Sequence, residues 1–267
     1  MIFVLKVTAL FSNIICCSLI LSLVRLFFYF SPKRKTQVTA FIVHIFGKFF
    51  TFILRIKVIV SGEKNLLKEK GNFFVCNHLS YIDGIVATSL SPLVFVAKAD
   101  VQNWPFFGLF TFLSDTIFVN RTNPSKIKDE IAKISTYLQN KVNVIIFPEG
   151  TSTNGDKLLP FKSSFFAAPQ VSKSKIVPLV FTYKKIADKP IDKHNRDLVY
   201  WYDSMKFFPH LLEVLKLKTI TLEVKVCEAI EFNKQVDRND PIDRKTLSDT
   251  CWSVIDRHLN TRVEISI

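Results

Sequence analysis

Glycine is scarce in this chain, with 7 in 267 residues against 26 phenylalanines. That excludes collagen-like, glycine-rich and linker-rich architectures. Cysteine is sparse as well. Cys16, Cys17, Cys76, Cys227 and Cys251 make an odd set with no CxxC pair. A disulfide framework and a zinc site are both disfavoured, and a reducing compartment is expected for the soluble part. Acidic residues are short of basic ones: 23 Asp and Glu face 36 Lys and Arg, a net charge of +13. A chain 48% hydrophobic and 22% charged is not disordered. Its length suits one large domain with an appendage and a core that needs no staples.

A basic and apolar chain points to an anionic partner, either nucleic acid or membrane. The phenylalanines fall in apolar runs. They do not interleave with basic residues as base-stacking platforms. Membrane lipid is therefore the expected partner, and nucleic acid is not.

Residues 7–30 carry a single charge, Arg25. As a helix this stretch covers about 30 Å of hydrocarbon. Lys6 could head a signal peptide, but the run Leu26-Phe27-Phe28-Tyr29-Phe30 offers no small-residue cleavage site. An uncleaved transmembrane anchor over 1–31 is expected. Lys33, Arg34 and Lys35 follow it, and the positive-inside rule then puts the remainder on the cytoplasmic face of the cell membrane. The stretch 36–54 differs in kind. His44, Lys48, Thr51 and Arg55 fall on one helical stripe, with Phe41, Ile45, Phe49 and Phe52 in the apolar remainder. Residues 32–55 read as a basic segment and an amphipathic interfacial helix. A second span, paired with the first as a hairpin, is the alternative.

From residue 56 onward, short β-rich runs alternate with helical stretches. Strands are expected at 56–60, 73–76, 93–97, 116–119, 142–147, 176–183 and 219–226, and helices at 80–90, 101–113, 125–139, 162–168 and 244–259. The polar interval 187–197 reads as a surface loop. The pattern predicts a single α/β catalytic domain over 56–267, with a mixed, largely covered sheet.

Chemistry concentrates at strand ends. Asn77-His78-Leu79-Ser80-Tyr81-Ile82-Asp83 sits where a strand stops and a helix starts. With His78 in the turn, its imidazole can fold over the first helical turn onto Asp83 and keep one nitrogen free as a base. The same residues also read as a Ser80-x-x-Asp83 capping box, in which Asp83 merely caps the helix. Phe147-Pro148-Glu149-Gly150-Thr151-Ser152 follows the most apolar strand, and Arg121 follows another. Such strand-end loops are where α/β domains bind ligands. Gly150-Thr151-Ser152-Thr153-Asn154 falls short of a nucleophile elbow, because Asn154 stands where the last glycine belongs. Cys76 reads as a small buried hydrophobe.

Four blocks in order resemble the membrane-bound glycerolipid acyltransferases of the 1-acyl-sn-glycerol-3-phosphate acyltransferase type. They are 77–83, Ile117-Phe118-Val119-Asn120-Arg121, Phe147-Pro148-Glu149-Gly150-Thr151 and Ile176-Val177-Pro178-Leu179. Lys98 and the segment 104–108 fit as well, and the resemblance covers about 71–183. It implies His78 as base and Asp83 as its orienting partner. It implies Arg121, Glu149, Gly150 and Thr151 at the acceptor lipid's head, with Asn77 and Lys98 beside them. The family's third block usually ends in arginine, where this chain has Ser152; Lys157 and Lys162 are the cations that could stand in. The version with serine resembles the lyso-ornithine lipid acyltransferase branch. The implied reaction is transfer of an acyl group from acyl-CoA or acyl-carrier protein to a lysolipid hydroxyl, with 1-acyl-sn-glycerol-3-phosphate first and lyso-ornithine lipid as alternative acceptor. No metal or other cofactor is implied. A lipid hydrolase or transacylase using the same pair, or a non-catalytic membrane protein, are the readings from other classes.

Overall fold

In a computed structural model of the protein, residues 2–103, 107–119, 124–231 and 243–260 are described. Two long helices come first, α1 (Ile2–Phe27) and α2 (Pro32–Ile53). Then follow β1 (Ile56–Gly62), β2 (Phe73–Cys76), α3 (Tyr81–Leu90), β3 (Leu93–Lys98), α4 (Phe107–Leu113), β4 (Ile117–Val119), α5 (Pro124–Gln139) and β5 (Asn143–Ile146). The remainder holds α6 (Ala167–Ser172), β6 (Ile176–Ile186), β7 (Lys189–Pro190), α7 (Phe207–Lys216), β8 (Ile220–Val226) and α8 (Arg244–Asn260).

The strands form one mixed sheet in the order β1-β8-β6-β2-β5-β3-β4, with β7 hooked onto the end of β6. β8 runs antiparallel to β6, and the other main pairs are parallel. The buried central strands β2 and β5 explain the continuous apolar runs in the sequence. In β2 the side chains still alternate between faces. Phe74 and Cys76 join the core beneath α3 and α7, while Phe73 and Val75 join the core that contains α5 and α8 residues. Asn143 is the polar exception in β5. It accepts the Asn72 N–H (2.9 Å) and donates to the Glu69 carbonyl (3.0 Å) and Ser91 Oγ (2.9 Å), so its burial leaves nothing unpaired.

Seven of these strands and the helices α3, α5 and α8 match the expected segments within a few residues. The expected helix at 101–113 is instead a 3-10 turn (Ala99–Asn103) followed by α4. α7 was not expected: ten residues opening on Phe207-Phe208-Pro209 give a short periodic signal. β7 lies inside the interval read as a loop.

α1 and α2 are each long and apolar enough to cross a membrane. They pack against each other, and both lean on the α/β domain. α2 meets α3 so closely that a Cβ on Gly47 would fall 2.3 Å from Thr88 Oγ1. His44 Nδ1 lies 2.7 Å from the Thr88 carbonyl, and Thr51 is buried. Two members of the polar stripe therefore turn toward the domain. Phe41, Phe49 and Phe52 face outward. α1 is tied down at both ends. Lys6 Nζ donates to the Leu217 carbonyl just past α7 (2.7 Å). Arg25 donates to the Phe112 carbonyl (2.7 Å) and to Asp115 (2.9 Å), which also holds Lys35 and Thr36. These ends lie about 28 Å apart at the helical rise. Between them Ile15, Leu19 and Leu23 stay exposed.

Candidate active site

β2 ends because Asn77 replaces the next rung of the ladder with its side chain. Its Nδ2 donates to the Phe181 carbonyl (3.0 Å) and its Oδ1 accepts the Phe181 N–H (2.9 Å). His78 then occupies the turn, and Ser80 caps α3 by accepting the Ile82 N–H. Asp83 closes the capping box and orients the histidine with the same oxygen. Its Oδ2 accepts the Leu79 N–H (2.7 Å) and the Ser80 N–H (2.8 Å), and it lies 3.0 Å from His78 Nδ1. The capping box and the His78–Asp83 contact are therefore both formed.

Sequence reasoning missed the fourth group on this carboxylate. Tyr183, from β6, donates its hydroxyl to Asp83 Oδ1 at 2.7 Å. Burial pushes the Tyr183 phenol well above its usual range, so it stays a neutral donor. Asp83 is fully buried, and four donors are what such a carboxylate needs. A carboxylate only accepts, so His78 carries its hydrogen on Nδ1 and keeps the Nε2 lone pair free. The ring stacks on Phe147 with centroids 4.1 Å apart, and it lines a cavity.

Glu149 and Gly150 serve the site in different ways. Glu149 Oε1 accepts the His78 N–H (2.8 Å), and Oε2 accepts the Leu159 N–H (3.0 Å). Burial raises its pKa, while those two N–H groups pull the other way. Glu149 and Asn77, expected at the substrate, spend their side-chain oxygens on backbone, which makes them positioning residues for the His78 turn. The Thr153 N–H adds a third tie, to the His78 carbonyl (3.0 Å). Gly150 (φ +83°), Thr151 and Ser152 line the cavity beside His78. Lys98 lines it too, paired with Asp100 at 2.6 Å. Lys157 and Lys162 are exposed and do not line it. Arg121 lies outside the described residues.

The cavity holds about 490 Å³ and is largely apolar, with Val43, Phe50, Ile85, Phe95 and Phe110 among its walls. That size suits a small-molecule or lipid-chain site. Among the described residues no group of three or more His, Cys, Asp or Glu side chains could hold a metal. Cys76 sits in the strand below, its thiol pushed well up by burial, which suits an inert buried side chain.

An α/β sheet with an oriented histidine at a strand end, opening on an apolar cavity, defines the class of domain. Residues 57–182 match the Acyltransferase family model. It is 32% identical over 195 residues to the lyso-ornithine lipid O-acyltransferase of Rhizobium meliloti, covering 70% of this chain and 66% of that one. The corresponding protein of Brucella abortus is 30% identical over 171 residues, 61% and 64% of the two chains. The Escherichia coli 1-acyl-sn-glycerol-3-phosphate acyltransferase is 27% identical over 181 residues, 67% and 71%. The chain thus spans just under two thirds of the length of the two lyso-ornithine relatives. The crystal structure of the 1-acyl-sn-glycerophosphate acyltransferase of Thermotoga maritima shares the fold, with a TM-score of 0.60 at 18% identity over 96% of each chain.

Proposed function

We propose that the protein is a membrane-attached O-acyltransferase that moves a fatty acyl group from a thioester to the free hydroxyl of a lysolipid. One observation carries the reading: His78, its Nδ1 held on buried Asp83, turns its ring toward an apolar cavity. In the reaction Nε2 takes the hydroxyl proton as the oxygen attacks the thioester carbonyl carbon. The C–S bond then breaks, and the imidazolium returns the proton to the leaving thiolate. Asp83 stabilises the imidazolium between these steps. The donor is acyl-CoA or acyl-carrier protein, and no cofactor takes part.

The acceptor we favour is a lyso-ornithine lipid over 1-acyl-sn-glycerol-3-phosphate. Ser152 supports this, because it lines the cavity where the phosphate-using pattern has a guanidinium. So do the relatives of that name. Attachment uses the outward apolar faces of α1 and α2, together with the +13 charge, on an anionic cytoplasmic leaflet. Both ends of α1 are bound to the α/β domain, which favours a helix lying along the leaflet over one standing across it.

The test is transfer of a labelled acyl group from acyl-CoA, and separately from acyl-carrier protein, to each lysolipid in anionic vesicles. Labelled diacyl product is expected with the wild-type protein and not with His78→Ala. No product from any lysolipid, or full product with His78→Ala, would overturn the reading.

A further inference from the structure

The cavity has an aromatic end. Beyond His78, Tyr81, Trp201 and Phe207 stand edge to face, with ring centroids 4.9 Å (Tyr81–Phe207), 6.1 Å (Tyr81–Trp201) and 6.3 Å (Trp201–Phe207) apart. All three line the cavity. The Trp201 backbone N–H donates to the Leu79 carbonyl (2.9 Å), which pins this wall one residue away from the base. The wall is also braced from behind. The Tyr81 hydroxyl lies 3.0 Å from His210 Nδ1, and His210 Nε2 lies 3.1 Å from the Asp197 carbonyl. A carbonyl only accepts, so Nε2 carries the hydrogen and Nδ1 accepts from the phenol. Burial lowers the His210 pKa, in keeping with a neutral ring.

Asp203 lines the same cavity two residues after Trp201. Its backbone sits at φ +50°, a conformation that Asp and Asn adopt more readily than most residues. Among the described residues it has no hydrogen-bond or ion-pair partner. The other carboxylate in the lining that faces a cation, Asp100, is already matched by Lys98. Three aromatic rings and an unmatched, solvent-exposed carboxylate at the cavity's rim attract a cation and disfavour a phosphate dianion.

We propose that Tyr81, Trp201, Phe207 and Asp203 form a subsite for an ammonium group on the acceptor's head, which selects lysolipids bearing a primary amine over those bearing a phosphate monoester. The proposal rests on the acyl-transfer reading, and it assigns to particular side chains the selection among acceptors. Ser152 fits the same logic, since a guanidinium at that position would repel the amine.

The experiment compares lyso-ornithine lipid with the same lipid acetylated on its side-chain amine, which removes the charge and keeps the hydroxyl and the chain. Affinity for each is measured by calorimetry on His78→Ala protein in detergent, and transfer rates are measured on the protein with His78 intact. The amine form should bind roughly tenfold more tightly than the acetylated form, as a cation beside aromatic rings and a carboxylate implies. Asp203→Asn, in the His78→Ala background, should bring that ratio to within about twofold, because an amide keeps the shape and the backbone preference but not the charge. A ratio near one in the parent protein, or one that Asp203→Asn leaves unchanged, would overturn the subsite. Failure of the intact protein to transfer to either lipid would instead overturn the acyl-transfer reading, and the binding ratio would still judge the subsite.

Discussion

Asp83 is one carboxylate with two duties, and substitutions around it separate them. Asp83→Asn keeps a neutral acceptor for the cap and for His78 Nδ1, since one oxygen serves both, but removes the charge that stabilises the imidazolium. It should cost about 1 kcal/mol of stability as a weakened cap, yet lower turnover by two orders of magnitude or more. Urea midpoints and initial rates on the same samples check this; a turnover loss no larger than the stability loss would reduce Asp83 to a cap. Tyr183→Phe removes the donor on the other oxygen in a fully buried site, which should cost about 1–3 kcal/mol. His78 and Asp83 were legible because two kinds of chemistry share a short, local spacing. Tyr183 was not, since it comes from a strand 100 residues away and local pattern carries no trace of that contact. Asn77 and Glu149 were legible as members of the site but not in their contacts. A motif records which residues a loop requires, and here the requirement is met by backbone N–H and carbonyl groups. At Ser152, introducing arginine should raise the rate on 1-acyl-sn-glycerol-3-phosphate relative to lyso-ornithine lipid, because a second cation favours the dianionic head. An unmoved ratio would mean that residue 152 does not face the acceptor.

Among the elements, α2 and α3 pack closely where Gly47 faces Thr88. Gly47→Leu would drive a branched side chain into Thr88 and the backbone of Ser89. Overpacking of this kind typically costs about 1–3 kcal/mol, and chemical denaturation will measure it. Because α2 and α3 both wall the cavity, turnover should fall beyond what stability accounts for; equal losses would show that the two helices only pack. The strands were readable here because buried parallel strands are short apolar runs between polar turns. α2 was readable as amphipathic, but its orientation was not. Periodicity gives two faces without saying which one meets protein. Gly47 and His44 settle that through contacts with α3 that no local pattern encodes.

For the whole molecule, a 26-residue apolar helix has both of its ends held by the same domain. Val4, Ile15 and Leu26 are all exposed on α1 and recur every three turns. Fluorescent probes introduced singly at these positions should be quenched equally by lipids carrying quenchers at one depth. A graded depth from residue 4 to residue 26 would mean that α1 crosses the bilayer. Deletion of residues 1–31 should also remove Leu10 and Ile14 from the core cluster they share with Phe50 and Val214. The truncated protein should therefore melt lower and self-associate, which light scattering in high salt will report. A stable, dispersed product would show that the α/β domain closes without the helix.

The pairing of β1 with β8 joins Ile56 to Ile220 and Gly62 to Val226. On the ribosome this sets an order of events. The two apolar helices and β1 emerge before the strand that completes β1 and before the Leu217 carbonyl that receives Lys6. Until then the α1–α2 pair lacks the partners that residues after 81 supply, and β1 waits as an open edge. The nascent chain thus has the opportunity to reach the bilayer before its α/β domain can close. Protease protection of β1 in stalled chains should begin only once residue 226 has cleared the exit tunnel.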